Sequence, residues 1–480
     1  MIQRLYYWYY KHLGNEKHRA PEPVTEATVL QWKRACEAEI AKRGLQFHDI
    51  GHGMITDAFN LDCSNIWGTI DWSNIPAETM EMMAMIDGKR QIYRNSPGAT
   101  CICLSNEKAR KIIANYVADY AQNHTNITYL HVWLADWYNN SCECEVCRTK
   151  RPSDWYMMLM NDIDEELTAR NLDTRIVFIA YYDSLWAPVE EKLKNHKRFA
   201  LLLAPITREY TYTLAEGGIE GKPFVLNKTE GPTTLNEFFA YLKDWQQWWN
   251  GAVCVYEYHF WRHQIDPAVL GHAARIWEDV RTYQEYGAHG VIQDGSQRSF
   301  FPGGFAFYTY ARTLYDTSLS FEEIAEEYFS CAYGEDWQKV YEYLKKCGEI
   351  LPYELMENGA SVNAKVSSYY NPSLQPAMQK GDAIADEGEA LVQKNFNMPY
   401  RLQTVSYRLL GEQVKLFRNL AKAFSHKVVG EDEEALNTFM EIYDEFGRRE
   451  AELERYLDFY LYMGRLKQII SVKSNMQEIQ

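Results

Sequence analysis

A chain of 480 residues carrying 66 acidic and 50 basic side chains, net charge −16, can bury a full core and has room for a second unit. No Lys/Arg-rich patch interrupts this acidic balance, which argues against a nucleic acid or an anionic membrane as partner. The longest clean apolar run, FALLLAPI at 199–206, falls far short of the roughly 20 residues that cross a bilayer.

The N-terminal stretch MIQRLYYWYYKHLGNEKH has neither an uninterrupted apolar segment nor a small-residue cleavage site, so the expected address is cytoplasmic. Ten irregularly spaced cysteines fit reduced thiols plus a metal cluster better than a disulfide framework. Short β-branched or aromatic runs predict eight strands: 4–10, 44–51, 100–105, 127–135, 174–182, 199–206, 252–260 and 290–294. Amphipathic stretches lie between them. One is TEATVLQWKRACEAEIAKRG, where Thr25 is placed to cap and Gly44 to stop a helix; another is SNEKARKIIANYVADYAQN, with Ser105 at its N-cap.

Strand and helix in alternation predict an α/β fold, a (β/α)8 TIM-type barrel over residues 1–304, with its active site on the loops after the strands. No Gly-x-Gly-x-x-Gly turn follows an early strand and no phosphate-binding loop occurs, which weighs against a doubly wound sheet. The long connections at 56–98 and 207–235 are expected on the catalytic face. From residue 305 apolar residues recur at three- and four-residue spacing, predicting an α-helical C-terminal domain over 305–480; NPSLQPAMQKGD at 371–382 is its most linker-like stretch.

The strand ends of such a barrel offer His48 and His52, Asp136, Tyr181 to Asp183, Arg208 and Glu209, Glu257 and His259, and Asp294. Several carboxylates suit glycoside hydrolysis, in which one acid protonates the leaving oxygen and a second carboxylate is nucleophile or base. Asp136 ends the apolar run ITYLHVWLAD and is followed by Trp137 and Tyr138; the alternative is an Asp that only turns the loop. Glu257, between two tyrosines in VYEYH, is expected to have a raised pKa, unless an Arg or Lys pairs with it. Asp183 and Asp294 also read as plain turn starts. His-x3-His at 48 and 52 lies on an extended segment, and His-Glu-x-x-His is absent from the sequence, so a catalytic zinc is not expected.

Cys142, Cys144 and Cys147 form a compact soft-ligand set in Cys-x-Cys-x2-Cys, and Cys103, at the end of a neighbouring predicted strand, is the natural fourth ligand of a structural zinc. Free buried thiols are the alternative. Aromatic residues make up 14% of the chain, with 35 Tyr and 14 Trp, many beside Asp, Asn and Glu. Such rings suit sugar faces, and large cores use the same residues.

The ordered motifs CLSNEKARKIIANYVADY, LHVWLADWYNNSCECEVCRTK, RIVFIAYYDS, LLLAPITREYTYTL and VCVYEYHFWRHQIDPAVLGHAARIWEDVRTYQEYGAHGVIQDG resemble the bacterial DUF4838 family. That family is grouped with glycosidase-type TIM barrels, similar to family 20 hexosaminidases and α-glucuronidases. The resemblance implies a carbohydrate-active barrel, supports Asp136 and the Glu257 segment as site residues, and matches Cys103, Cys142, Cys144 and Cys147. Two departures stand out: a secretion signal and N-terminal β-sandwich are not seen, and the strand reads Ala135-Asp136-Trp137 where hexosaminidases carry Asp-Glu.

The expected function is therefore a glycoside hydrolase acting on an oligosaccharide or glycoconjugate, with Asp136 and Glu257 as the catalytic pair. Trp133, Trp137, Tyr181, Tyr182 and Tyr258 would border sugar rings, while His52, Asp183, Arg208 and Asp294 would bind substrate polar groups. No catalytic cofactor is expected. The alternative is a barrel that binds carbohydrate without cleaving it.

Overall fold

The computed structural model describes residues 12–49, 51–61, 68–211, 220–261, 263–296, 298–357 and 369–474. The strand predicted at 4–10 lies outside them. Helix α1 (Glu26–Lys42) starts where Thr25 Oγ1 accepts the Thr28 N–H at 3.2 Å and stops before Gly44, whose φ of 66° suits glycine. It leads into strand β1 (His48–Asp49). Strands β2 (Met85–Ile86) and β3 (Lys89–Arg90) form a hairpin around Asp87-Gly88, both at positive φ, as a tight type I′ turn requires.

Strands and helices then alternate: α2 (Glu107–Asn123), β4 (Tyr129–His131), α3 (Pro152–Ala169), β5 (Arg175–Ala180), β6 (Phe199–Leu203), α4 (Leu235–Gln246), β7 (Ala252–Phe260), α5 (Leu270–Glu285) and β8 (Gly290–Gly295). Helix α2 is capped by Asn106, whose Oδ1 accepts the Ala109 N–H at 3.2 Å, one residue beyond the predicted Ser105. Between β5 and β6 the described chain forms only short 3-10 turns.

Strands β1 and β4 to β8 form one six-stranded parallel sheet in strict chain order. A doubly wound sheet reverses its order at a switch point; this one winds in a single direction, as half of a barrel does. Among the described residues it has six strands, not eight. The stretch 100–105 is extended but pairs elsewhere: Ala84 N–H donates to Cys101 O at 3.0 Å and Cys103 N–H to Met82 O at 2.8 Å, an antiparallel ladder beside the hairpin. Its composition predicted extension, which is local; its partner was not a local property.

Strand β6 is buried throughout and β5 from Ile176 onward, the continuous apolar pattern of a sheet covered on both faces. Leu130, Ile176, Phe178, Leu202 and Val255 pack with Ile113 and Val117 of α2 and with Leu159 and Ile163 of α3. Each fully buried side chain of this kind stabilises by about 1.5–3 kcal/mol.

A second core is built by α6 (Phe305–Tyr315), α7 (Phe321–Tyr333), α8 (Trp337–Ile350), α9 (Gly381–Lys394), α10 (Arg401–Lys427), α11 (Asp432–Arg448) and α12 (Phe459–Ser471). In α10, Thr404, Tyr407, Leu410, Val414, Phe417, Leu420 and Phe424 are buried at helical spacing. Phe260, Ile276 and Val280 belong to this core too, so β7 and α5 carry the helices. The start of the described chain joins them: Asn15 Nδ2 donates to Gly447 O at 3.0 Å and Glu450 Oε2 at 2.6 Å.

Candidate active site

Parallel strands bring their C-terminal ends to one side of the sheet. His52 follows β1, Trp133 and Asp136 follow β4, Tyr181 and Tyr182 follow β5, Tyr256 and Tyr258 lie in β7, and Asp294 lies near the end of β8. Tyr181 donates its hydroxyl to Asp136 Oδ1 at 2.7 Å. His52 gives Nδ1–H to the Leu134 carbonyl at 3.3 Å, since a carbonyl can only accept, and this turns Nε2 to 3.7 Å from Asp136 Oδ1. The Asp136 side chain keeps 22% of its surface exposed, enough to meet a ligand. Burial, then the Asp136 charge, raise the Tyr181 phenol well above its ordinary range, so it stays a donor.

Asp294, near the end of β8, stands close enough to Asp136 to feel its charge. Burial first, and the Asp136 charge in support, push Asp294 up to about 6 against hydrogen bonds from the Gly295 N–H and Tyr256. The carboxyl reaches this position through a bulge between Glu257 and Phe260. Gly295, at φ 138°, makes it possible: a Cβ there would lie 2.2 Å from the Phe260 carbonyl carbon.

Aromatic rings line the space around the two acids. Trp133 meets His52 at 4.8 Å and Tyr256 at 5.4 Å between ring centroids, and Tyr256 meets Tyr258 at 5.4 Å. A second row runs outward from Tyr181 through Tyr182 and Tyr138 to Trp137, whose face carries the Arg94 guanidinium at 4.2 Å. Tyr182, Asn139 and Arg94 hold left-handed backbone at φ 45°, 54° and 52°. Strained non-glycine residues gathered beside a cleft mark functional surfaces.

The structure corrects three sequence expectations. Glu257 is fully buried and lies on the opposite side of β7 from Tyr256 and Tyr258, because successive strand residues alternate faces. Its oxygens are occupied by Arg208 at 2.8 Å, the Tyr258 N–H at 3.1 Å, and the Tyr210 and Tyr283 hydroxyls. Burial opposes its charge, but Arg208 and His259 outweigh that, so its pKa is lowered where the sequence suggested a raised one. Arg208 is equally buried, bridging Glu257 to Asp279 of α5 at 2.8 Å, and does not reach the cleft. Asp183, also buried, accepts the Asn139 N–H at 3.0 Å and the Ser141 hydroxyl at 2.8 Å, shaping the loop rather than meeting substrate.

Tyr138, Tyr256 and Arg94 line the site without having been assigned to it from the sequence. Tyr256 was legible, since it shares the phase of Tyr258; Arg94, in a long loop, carried no signal.

Beside the cleft, Cys103, Cys142, Cys144 and Cys147 come together, their four sulfurs within 4.8 Å of one another. Cys103 Sγ is 3.8 Å from Cys144 Sγ and 3.7 Å from Cys147 Sγ, contacts of free thiols.

The family model described as Domain of unknown function (DUF4838) matches residues 26–345, and the chain belongs to this family. No curated protein matches it in sequence. Among solved structures it is similar to a GH138 enzyme targeting pectin rhamnogalacturonan II, at 12% identity and a TM-score of 0.40, over 72% of this chain and 58% of that one. It is similar also to a mutant Thermobaculum terrenum O-GlcNAc hydrolase, at 8% identity and a TM-score of 0.36, over 77% of this chain and 76% of that one. The chain thus spans less than two thirds of the length of the first of these.

Proposed function

We propose that this protein is a glycoside hydrolase whose acid and nucleophile-or-base are Asp294 and Asp136. The observation that supports the reading is two carboxyls at different strand ends, near enough that the charge of Asp136 acts on Asp294, with aromatic rings around them and unequal surroundings. Environments that push two such groups apart assign the acid and the base. Asp294, raised to about 6, holds a proton to give to the glycosidic oxygen. Asp136, accepting from Tyr181 and faced by His52, attacks the anomeric carbon or takes a proton from an attacking water. Trp133, Tyr256 and Tyr258 would border the sugar at the point of cleavage, and Trp137, Tyr138 and Tyr182 would carry the next unit.

In this reading the six-stranded sheet is the described part of a (β/α)8 barrel over 1–304, supported by its unidirectional strand order, with the helices of 305–480 packed behind β7 and α5.

The test is hydrolysis of a panel of aryl glycosides by the wild type, Asp136→Asn and Asp294→Asn. Loss of the acid should cost about 10²–10⁴-fold on poor leaving groups and far less on activated ones, which need no protonation. Asp136→Asn should fall on both. The wild-type rate should decline as pH rises through about 6, where Asp294 gives up its proton. Hydrolysis that survives both substitutions, or a folded protein that binds the glycosides and cleaves none, would overturn the assignment.

A further inference from the structure

We infer that Cys103, Cys142, Cys144 and Cys147 hold a structural zinc ion that fastens the loop carrying Asp136. A tetrahedral site with zinc–sulfur bonds of about 2.3 Å has sulfur–sulfur edges of about 3.8 Å. The Cys103 sulfur stands at 3.8 and 3.7 Å from those of Cys144 and Cys147. A disulfide would need its sulfurs at about 2.05 Å, far inside the 3.8 and 3.7 Å that separate Cys103 from Cys144 and Cys147.

The surroundings suit thiolates. The Met85 N–H points at Cys142 Sγ at 3.3 Å, and the Cys147 N–H at Cys144 Sγ at 3.4 Å, the turn a Cys-x2-Cys pair makes around a metal. The Ser105 hydroxyl lies 3.1 Å from Cys147 Sγ and 3.4 Å from Cys103 Sγ, and Arg90 stands beside the sulfurs. Ala84, Ile86 and Tyr93 pack around the group, in which Cys103, Cys142 and Cys147 are buried and Cys144 is partly exposed. Four protein sulfurs close a four-coordinate site, leaving no position for water or substrate, so the ion would be structural.

Its place explains its use. Cys103 comes from the ladder beside the hairpin, and the other three from the loop that begins at Asp136. Polar contacts also hold that loop, among them Asp136 N–H to Gly98 O at 2.7 Å, Asn140 Nδ2 to Ala99 O at 2.6 Å, and Glu143 N–H to Met85 O at 2.7 Å. A metal joining Cys103 to Cys142, Cys144 and Cys147 fixes the far end of the segment that presents Asp136, Trp137 and Tyr138.

The metal site stands without the glycosidase reading; only its effect on catalysis rests on that reading. The experiment is native mass spectrometry and elemental analysis of the full chain, purified with zinc and desalted, for the wild type, Cys144→Ser and the control Cys331→Ser, whose thiol is exposed and remote from the cluster. The wild type and Cys331→Ser should retain one zinc, and Cys144→Ser should lose it or bind it at least about 10-fold more weakly. Cobalt in place of zinc should give the absorption bands of a tetrahedral thiolate site, and chelation should speed amide exchange within 136–150. If Cys144→Ser proves unfolded, cobalt titration of the wild type decides alone. A metal-free wild type, equal zinc in the wild type and a folded Cys144→Ser, or a mapped disulfide among the four would overturn the inference. Zinc retained by a chain that cleaves no glycoside would instead defeat only the catalytic reading.

Discussion

Replacing Glu257 by Gln separates a structural role from a catalytic one. The side chain and its partner Arg208 are both 0% exposed. Glutamine keeps the shape but removes one of the two carboxylates facing Arg208, and its NH2 cannot accept from Tyr210 or the Tyr258 N–H. Breaking a buried ion pair from one side costs about 3–5 kcal/mol, and at roughly 2 °C per kcal/mol for a unit of this size the thermal midpoint should fall by about 6–10 °C. The assay is thermal unfolding alongside glycoside hydrolysis, measured well below the variant's midpoint and expressed per folded molecule. Hydrolysis should stay within a few-fold of wild type, because no Glu257 atom reaches the cleft. An unchanged midpoint with collapsed hydrolysis would refute this placement and restore Glu257 to the catalytic pair.

Two further outcomes follow from the geometry around Asp294. Gly295→Ala forces a Cβ to within 2.2 Å of the Phe260 carbonyl carbon at a φ of 138°, and should cost more than about 2 kcal/mol in urea unfolding; an unchanged urea midpoint would deny the close approach. Asp294 binds its proton more tightly folded, at about 6, than its ordinary value of 3.8. Its contribution to stability is therefore full below about pH 4 and lost as pH rises through about 6, so Asp294→Asn should gain on wild type over that interval. Parallel stability curves for the two proteins between these pH values would contradict the raised carboxyl.

Much of the scaffold is local chemistry and was readable in the chain. Thr25 bounds α1 through its hydroxyl and Gly44 through the positive φ that its missing Cβ allows, the apolar runs became β5 and β6, and AVCVYEYHF became β7 residue for residue. Asp136 was picked out because an acid closing a buried strand in a parallel sheet must stand at the C-terminal rim, and the structure places it there beside Tyr181 and His52. Cys142, Cys144 and Cys147 were grouped by spacing and Cys103 by a predicted neighbouring strand; the four do meet, although 100–105 pairs outside the sheet. The predicted 100–105 strand shows the limit of such reading, since extended backbone is intrinsic but the neighbour that satisfies its hydrogen bonds is not.

Read alone, the chain yields periods: helices with an apolar stripe, parallel strands without polar breaks, and a list of polar residues at strand ends. Which of those polar residues look into the cleft depends on how the strands pack. Glu257 and Tyr258 are neighbours in the chain, yet the pleat sends one to Arg208 and Asp279 beneath α5 and the other to the wall of the site. Asp294, which also reads as a plain turn, lies beyond a β7–β8 register shift and feels the charge of Asp136, a residue far away in the chain. The physical reason is the same in both cases. Strand phase and long-range closure depend on contacts between residues far apart in the chain, and no local pattern encodes them.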